Sequence, residues 1–222
     1  MPTLQQDHPV HVLDLGDDEN RFSPSWIAAV NELLDTVVAG SGAVALVTTG
    51  RGKFFSNGLD LAWLGEHGDR GPAYLRDVQH LLARLLTLPV PTIAAVNGHA
   101  FGAGAMLAMA HDFRVMRSDR GYFCFPEVDI ALPFTPGMAA LVQAKLTPAA
   151  AVAAMTTGRR FDGPSAVQLG LVDRVAEESA LVAAATSAVV PLAGKDRDAL
   201  GSIKSTMFSE AFAALRAAAV TP

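Results

Sequence analysis

Two runs of consecutive apolar and β-branched residues, Ala43 to Thr48 and Thr92 to Val96, limit most sharply what this chain can fold into. A strand with one wet face alternates apolar and polar residues, whereas these runs have no polar face and must be covered on both sides. Between them Leu75, Val78, Leu81, Leu82, Leu85 and Leu86 recur at helical spacing after Tyr74, and that helix must stop before Pro89 and Pro91. Upstream, Val10 to Leu15 reads as a strand ending in the Gly16-Asp17-Asp18 turn. Ser23-Pro24 then supplies an N-cap and a first-turn proline for a helix whose stripe is Trp26, Ile27, Val30, Leu33, Leu34 and Val37. Strands and helices thus alternate, which predicts an α/β fold with mainly parallel pairing.

The segment Arg51 to Gly58 reads as loop. After the turn at Asn97-Gly98 come a Gly- and Ala-rich helix, a strand at Phe113 to Met116 and another around Gly121 to Phe125. Beyond Thr147 the composition shifts to Ala-rich helical segments broken by Gly158, Asp162-Gly163-Pro164 and Gly170, so a catalytic core over 1–155 and a helical region over 156–222 are expected.

Composition removes several functions. A chain of 222 residues with 50% hydrophobic content supports one substantial core. A net charge of -5 and a pI near 5.6 argue against a grip on phosphate backbones, so nucleic acid is not an expected partner. Cys124 is the sole cysteine, and the histidines lack metal-ligand spacing, so neither an internal disulfide nor a metal is expected. The lone Cys124 and a start without a basic and then apolar leader pattern make a reducing cytoplasm the expected compartment. The apolar stretches Val90 to Val96 and Phe101 to Ala110 are too short to cross a bilayer, so no membrane partner is expected.

Three segments carry chemistry. In Phe54-Phe55-Ser56-Asn57-Gly58-Leu59-Asp60-Leu61 a glycine beside an asparagine turns the backbone sharply and exposes N–H groups, while Asp60 can cap the following helix. Asn97-Gly98-His99-Ala100-Phe101-Gly102-Ala103-Gly104-Ala105-Met106 runs from strand to helix through small residues, and a helix start offers free amides to a developing anion. In Phe123-Cys124-Phe125-Pro126-Glu127-Val128-Asp129-Ile130 a carboxylate stands among apolar neighbours, where desolvation raises its pKa and makes it a usable base.

These three phrases resemble, in order and separation, the crotonase superfamily, also called the enoyl-CoA hydratase/isomerase family. Thr157-Gly158-Arg159-Arg160-Phe161 and Gly170-Leu171-Val172-Asp173 resemble its helical C-terminal region. Within the superfamily the chain is most similar to the Δ3,Δ2-enoyl-CoA isomerases, through Phe55 to Trp63 and Glu127 to Ile130. The resemblance implies a spiral of ββα units over 1–155 and a C-terminal region used for oligomerisation, as a homotrimer or a hexamer. It implies an acyl-coenzyme A substrate, no separate cofactor, and an oxyanion hole formed by the backbone amides of Leu59 and Ala103. Many relatives have glycine at Ala103, yet an amide remains.

The resemblance also separates reactions. Hydratases of the family use two glutamates, at the positions of Glu127 and Met106. With Met106 apolar, Glu127 is left as a single proton carrier for a 1,3-shift. Substrate contacts are implied for Lys53, Phe54, Phe55, Ser56, Gly58, Asp60, Leu61, Trp63, Phe101, Gly102, Met106, Leu132 and Phe134. Arg51, Lys53 and Lys204 are candidates for coenzyme A phosphates. A hydratase-like activity with Asp129 as partner, or a non-catalytic acyl-CoA-binding scaffold, are the alternatives.

Several residues have plainer readings. Asp112 suits a cap beside His111, Ser56 a loop hydrogen-bonder, and Arg159 and Arg160 a solvated pair. Leu107 stands where a G-x-G-x-x-G motif needs its third glycine, which argues against a dinucleotide site. Ser56 lacks the G-x-S-x-G frame of a nucleophilic serine.

Overall fold

The computed structural model describes residues 1–217. The chain opens with strands β1 (Thr3–Asp7) and β2 (Val10–Asp14), then helix α1 (Pro24–Ala39). Ser23 Oγ accepts the Trp26 amide and Pro24 takes the first helical position, as the sequence predicts. Next come β3 (Ala45–Thr49), β4 (Phe54–Ser56), α2 (Leu61–Glu66) and α3 (Gly71–Leu86), followed by β5 (Thr92–Val96), β6 (His99–Phe101) and α4 (Ala103–Ala110). β7 (Phe113–Arg117), β8 (Phe123–Cys124), α5 (Pro136–Lys145), α6 (Pro148–Met155) and α7 (Gly163–Leu169) follow. The chain continues through β9 (Arg174–Ala176), α8 (Leu181–Val189), α9 (Arg197–Met207) and α10 (Ser209–Arg216).

Two sheets organise these elements. The larger has six strands in the order β1-β2-β3-β5-β7-β9, antiparallel only between β1 and β2. The smaller has three parallel strands, β4-β6-β8. Each of β3-β4-α3, β5-β6-α4 and β7-β8-α5 sends one strand to each sheet and then a helix outward, which is the ββα spiral. Its central strands are covered on both faces, as their unbroken apolar runs require. Leu46, Ala94, Val96 and Met116 pack toward α1, α3 and α4. Val47, Ile93, Ala95 and Val115 pack toward Leu181, Ala185 and Val189 of α8.

Four strands escape the sequence reading. β4 lies in the stretch read as loop, β6 in the stretch read as turn and helix start, and β9 in the region read as helical; β1 is an edge strand with exposed Gln5 and Gln6. Three residues show no periodicity, and these short strands exist only because a distant partner supplies their hydrogen bonds. The region after residue 155 is built into the larger sheet through β9, while α10 packs on α3 and α5 with Phe208, Ala211 and Leu215 in the core. Residues 218–222 of the expected C-terminal region lie outside the described residues.

Candidate active site

The ends of β4 and β6 and the turn after β8 converge on one cavity of about 460 Å³. Leu59, Leu61, Leu64, Leu75, Phe101, Met106, Phe134 and Met138 give it apolar walls. Among the described residues that line it, only Arg21 and Glu127 are ionisable.

Gly58 has φ +76, a conformation that ordinary side chains avoid, and it brings its loop hard against the start of α4. A β-carbon there would stand 2.7 Å from the Phe101 carbonyl oxygen and 2.9 Å from the Ala103 nitrogen. The next residue, Leu59, and Ala103 both line the cavity. Among the described residues, neither amide donates a hydrogen bond to another group of the chain. For Ala103 the cause is its place at the first position of α4, where helical geometry leaves N–H groups without partners.

Gly102, the N-cap of α4, has φ +53 and ψ -123, and a β-carbon on it would lie 3.3 Å from Glu127 Oε1. The carboxylate thus sits over the helix start, beside the two amides. The Glu127 turn is closed by Leu132 N–H donating to the Glu127 carbonyl at 3.0 Å, with Ala131 in the left-handed region at φ 51. Glu127 is 7% exposed and its Oε2 has no hydrogen-bond partner among the described residues. Burial pushes its pKa up to about 7, opposed by a weaker backbone hydrogen bond. Such a group takes and returns protons near neutrality.

Of the residues implied by the resemblance, Glu127, Leu59, Ala103, Leu61, Phe101, Gly102, Met106, Leu132 and Phe134 line the cavity. Met106 lies one helical turn beyond Ala103, is 1% exposed and lines the cavity as an apolar residue. Phe55, Ser56 and Gly58 are buried behind the wall. Asp60 caps α2 through the Trp63 amide at 3.1 Å, and Trp63 stacks on His67 with ring centroids 4.5 Å apart, outside the cavity lining. Lys53 and Phe54 also stand outside it: the Lys53 ammonium lies over the Phe54 ring at 5.2 Å and its carbonyl accepts from His99 at 3.0 Å.

Two candidate phosphate ligands are already engaged. Arg51 pairs with Asp14 at 2.7 Å. Lys204 is 4% exposed and donates to Leu88 O at 2.9 Å, Val90 O at 2.8 Å and Asp112 Oδ2 at 2.6 Å, which uses all three of its protons. Its role is to tie α9 to the β5 and β7 ends. Asp112 is that ion-pair partner and accepts the Thr92 amide at 2.8 Å, so it is more than a cap beside His111. Asp129 turns away from the cavity and lies against Gly158, where a β-carbon would meet its Oδ2 at 2.1 Å.

The sequence reading misses Arg21, Asn57, Leu64, Leu75, Pro126, Ile130, Pro133, Thr135 and Met138 in the lining. Arg21 pairs with Glu19 at 2.5 Å and reaches Leu59 O at 3.4 Å. No local pattern marks it, because the Phe22–Leu59 bridge that carries it to the site joins segments far apart in the chain.

A family model described as enoyl-CoA hydratase/isomerase matches residues 9–220. The chain belongs to the enoyl-CoA hydratase/isomerase family. It is an enzyme of the crotonase type, as the resemblance implies. Among relatives of this family, enoyl-CoA delta isomerase 3 of Arabidopsis thaliana is 41% identical over 222 residues, covering 95% of this chain and 93% of the relative. The peroxisomal enoyl-CoA delta isomerase 2 of the same plant is 40% identical, with coverages of 95% and 93%. A crystal structure of a probable enoyl-CoA hydratase from Mycobacterium tuberculosis superposes with a TM-score of 0.90 at 28% identity, covering 98% of this chain and 92% of that one. Among the described residues no helix is long and apolar enough to cross a membrane.

Proposed function

We propose that this enzyme converts 3-enoyl thioesters of coenzyme A into 2-enoyl thioesters by moving one proton. The observation that carries the reading is a single buried carboxylate, Glu127, set over Gly102 beside the free amides of Leu59 and Ala103, with Met106 where a second acid would stand. Glu127 takes a proton from C2 of the bound chain. The C–H electron pair moves toward the thioester carbonyl, and the oxygen that gains charge is held by the two amides, each worth about 3 to 4 kcal/mol in the transition state. The same carboxyl then returns the proton at C4, and the double bond ends between C2 and C3. Atoms and charge balance without a second acid.

Hydration would need a further group to hold and activate water. Met106 offers none, and Asp129 lies outside the lining. Lys204, whose three protons are all used, is set aside as a ligand for the coenzyme A phosphates, and the exposed Arg51 and Lys53 stay the candidates. Assembly as a homotrimer or hexamer, which rests on the family resemblance, and action in the cytoplasm, which rests on the lone Cys124, belong to the same proposal.

The test is to offer purified protein a 3-enoyl-CoA and a 2-enoyl-CoA of equal chain length. Conversion of the first to the conjugated thioester, without water addition to the second, supports the reading. Faster hydration than isomerisation overturns it.

A further inference from the structure

We propose that Ser56 is a positioning residue that sets the Leu59 amide against the Ala103 amide; this rests on the oxyanion-hole reading above. Ser56 is 0% exposed and does not line the cavity, so it acts through its neighbours. Its hydroxyl donates to Asn20 O at 2.7 Å and accepts the Gly58 amide at 3.1 Å. That leaves no proton to surrender and no adjacent base, which excludes a nucleophilic role.

Both partners of the hydroxyl are themselves held. Asn20, with φ 48, donates its side-chain amide to Phe55 O at 3.0 Å and to Phe54 O and Gly16 O at 3.3 Å each, while its backbone N–H donates to Asp18 Oδ1 at 2.6 Å. Gly58 returns its carbonyl to Phe22 N–H at 2.8 Å. The peptide unit joining Gly58 to Leu59 is therefore clamped by its oxygen, while its N–H has no partner among the described residues and Leu59 lines the cavity. On the far side of Leu59, the Asp60 amide donates to Tyr74 Oη at 2.8 Å. From Asn57 to Leu61 every backbone amide is engaged within the chain except that of Leu59.

Ser56 also touches the other donor's element. A β-carbon at Gly104 would stand 2.3 Å from Ser56 O and 2.8 Å from Ser56 Cβ, so the serine backbone rests directly on the first turn of α4. Ala103, one residue earlier on that turn, meets Gly58 in the same way. Two close approaches, Ser56 to Gly104 and Gly58 to Ala103, thus fix loop against helix, and the Ser56 hydroxyl is the brace that joins them within the loop. Its removal loosens the Asn57–Gly58 peptide, so that the Leu59 amide is set from one side only, by the Phe22 bond to Gly58 O, while the cavity walls and Glu127 stay in place.

The test compares parent, Ser56→Ala and Ser56→Cys. For Ser56→Ala, kcat on a 3-enoyl-CoA is expected to fall about 10- to 100-fold with KM within about twofold, because a misaligned donor harms the transition state more than substrate binding. A merely structural role would not move a second readout, the near-UV absorption of bound acetoacetyl-CoA as its enolate, which should weaken in parallel. Ser56→Cys, similar in shape with weaker hydrogen bonding, should fall between the two. If Ser56→Ala does not fold, the same two readouts on Ser56→Cys decide. Parent-like kcat in a folded variant, or a lost kcat with an unchanged enolate band, overturns the inference. Ala103→Pro separates it from the underlying reading, since proline suits the first helical position yet removes the donor. Full activity of Ala103→Pro sinks the oxyanion hole itself, whereas an inactive Ala103→Pro beside a parent-like Ser56→Ala sinks only the role of Ser56.

Discussion

Replacing Glu127 by Gln should cost activity and add stability, with the gain depending on pH. Burial pushes the carboxyl from its ordinary 4.5 up to about 7, and each tenfold in proton affinity is worth about 1.4 kcal/mol. The folded state therefore binds this proton more tightly than the unfolded state, and stability falls as pH rises between those two values. Below 4.5 both states are protonated and no penalty exists; above 7 the folded protein holds a buried charge at a cost of about 3 kcal/mol. Glutamine copies the shape of the neutral acid and never ionises. At pH 8.5 the variant should thus unfold about 3 kcal/mol later than the parent, roughly 6 to 12 °C in Tm for a chain of this size, and at pH 5 only about 1 kcal/mol later. Urea unfolding of both proteins at the two pH values measures the difference. Turnover of a 3-enoyl-CoA should meanwhile fall at least about 100-fold, and the parent's kcat/KM should rise with pH through a limb near 7. An equal stability increment at both pH values would show that the carboxyl is not held out of water, and the base assignment would lose its electrostatic footing.

Three further outcomes are expected. Lys204→Ala should destabilise by about 3 kcal/mol in urea, because the half-buried Asp112 keeps its charge with only the Thr92 amide left to it, while kcat of the folded fraction stays near parent. Gly58→Ala should lose activity by about 100-fold or more and stability by about 1 to 3 kcal/mol, since its β-carbon meets the Phe101 carbonyl and its φ is unfavourable. Met138→Trp fills part of the cavity wall, so kcat/KM should drop about tenfold for a ten-carbon acyl chain and stay within about twofold for a four-carbon one; equal loss for both places Met138 away from the acyl end.

The central fold was legible wherever local chemistry decided it. Ser23-Pro24 marked the start of α1, and Thr92 to Val96 matched β5 to the residue. Glu127 stood out because aromatic neighbours forecast its desolvation, although only the resemblance selected it over other carboxylates. What stayed hidden depended on long-range partners. β4 and β6 are short segments whose strand character comes from each other, and Arg21 reaches the cavity only through a bridge between Phe22 and Leu59. Lys204 misled for a different reason: lysine is ordinarily a surface residue, and nothing near it in sequence discloses three oxygens waiting across the fold. Ser56 was legible as a loop hydrogen-bonder, yet both of its close approaches involve glycines whose crowding appears only in three dimensions.

Strand β9 reaches the larger sheet from far along the chain, next to β7 and more than fifty residues after it. During synthesis the growing polypeptide therefore carries an unpaired strand margin at β7 until residue 176 has emerged, and the apolar face that α8 later covers stays open longer still. Parallel pairings of this separation form slowly and expose sticky edges meanwhile. Residues 174–189 thus decide how long that margin and that apolar face stay uncovered.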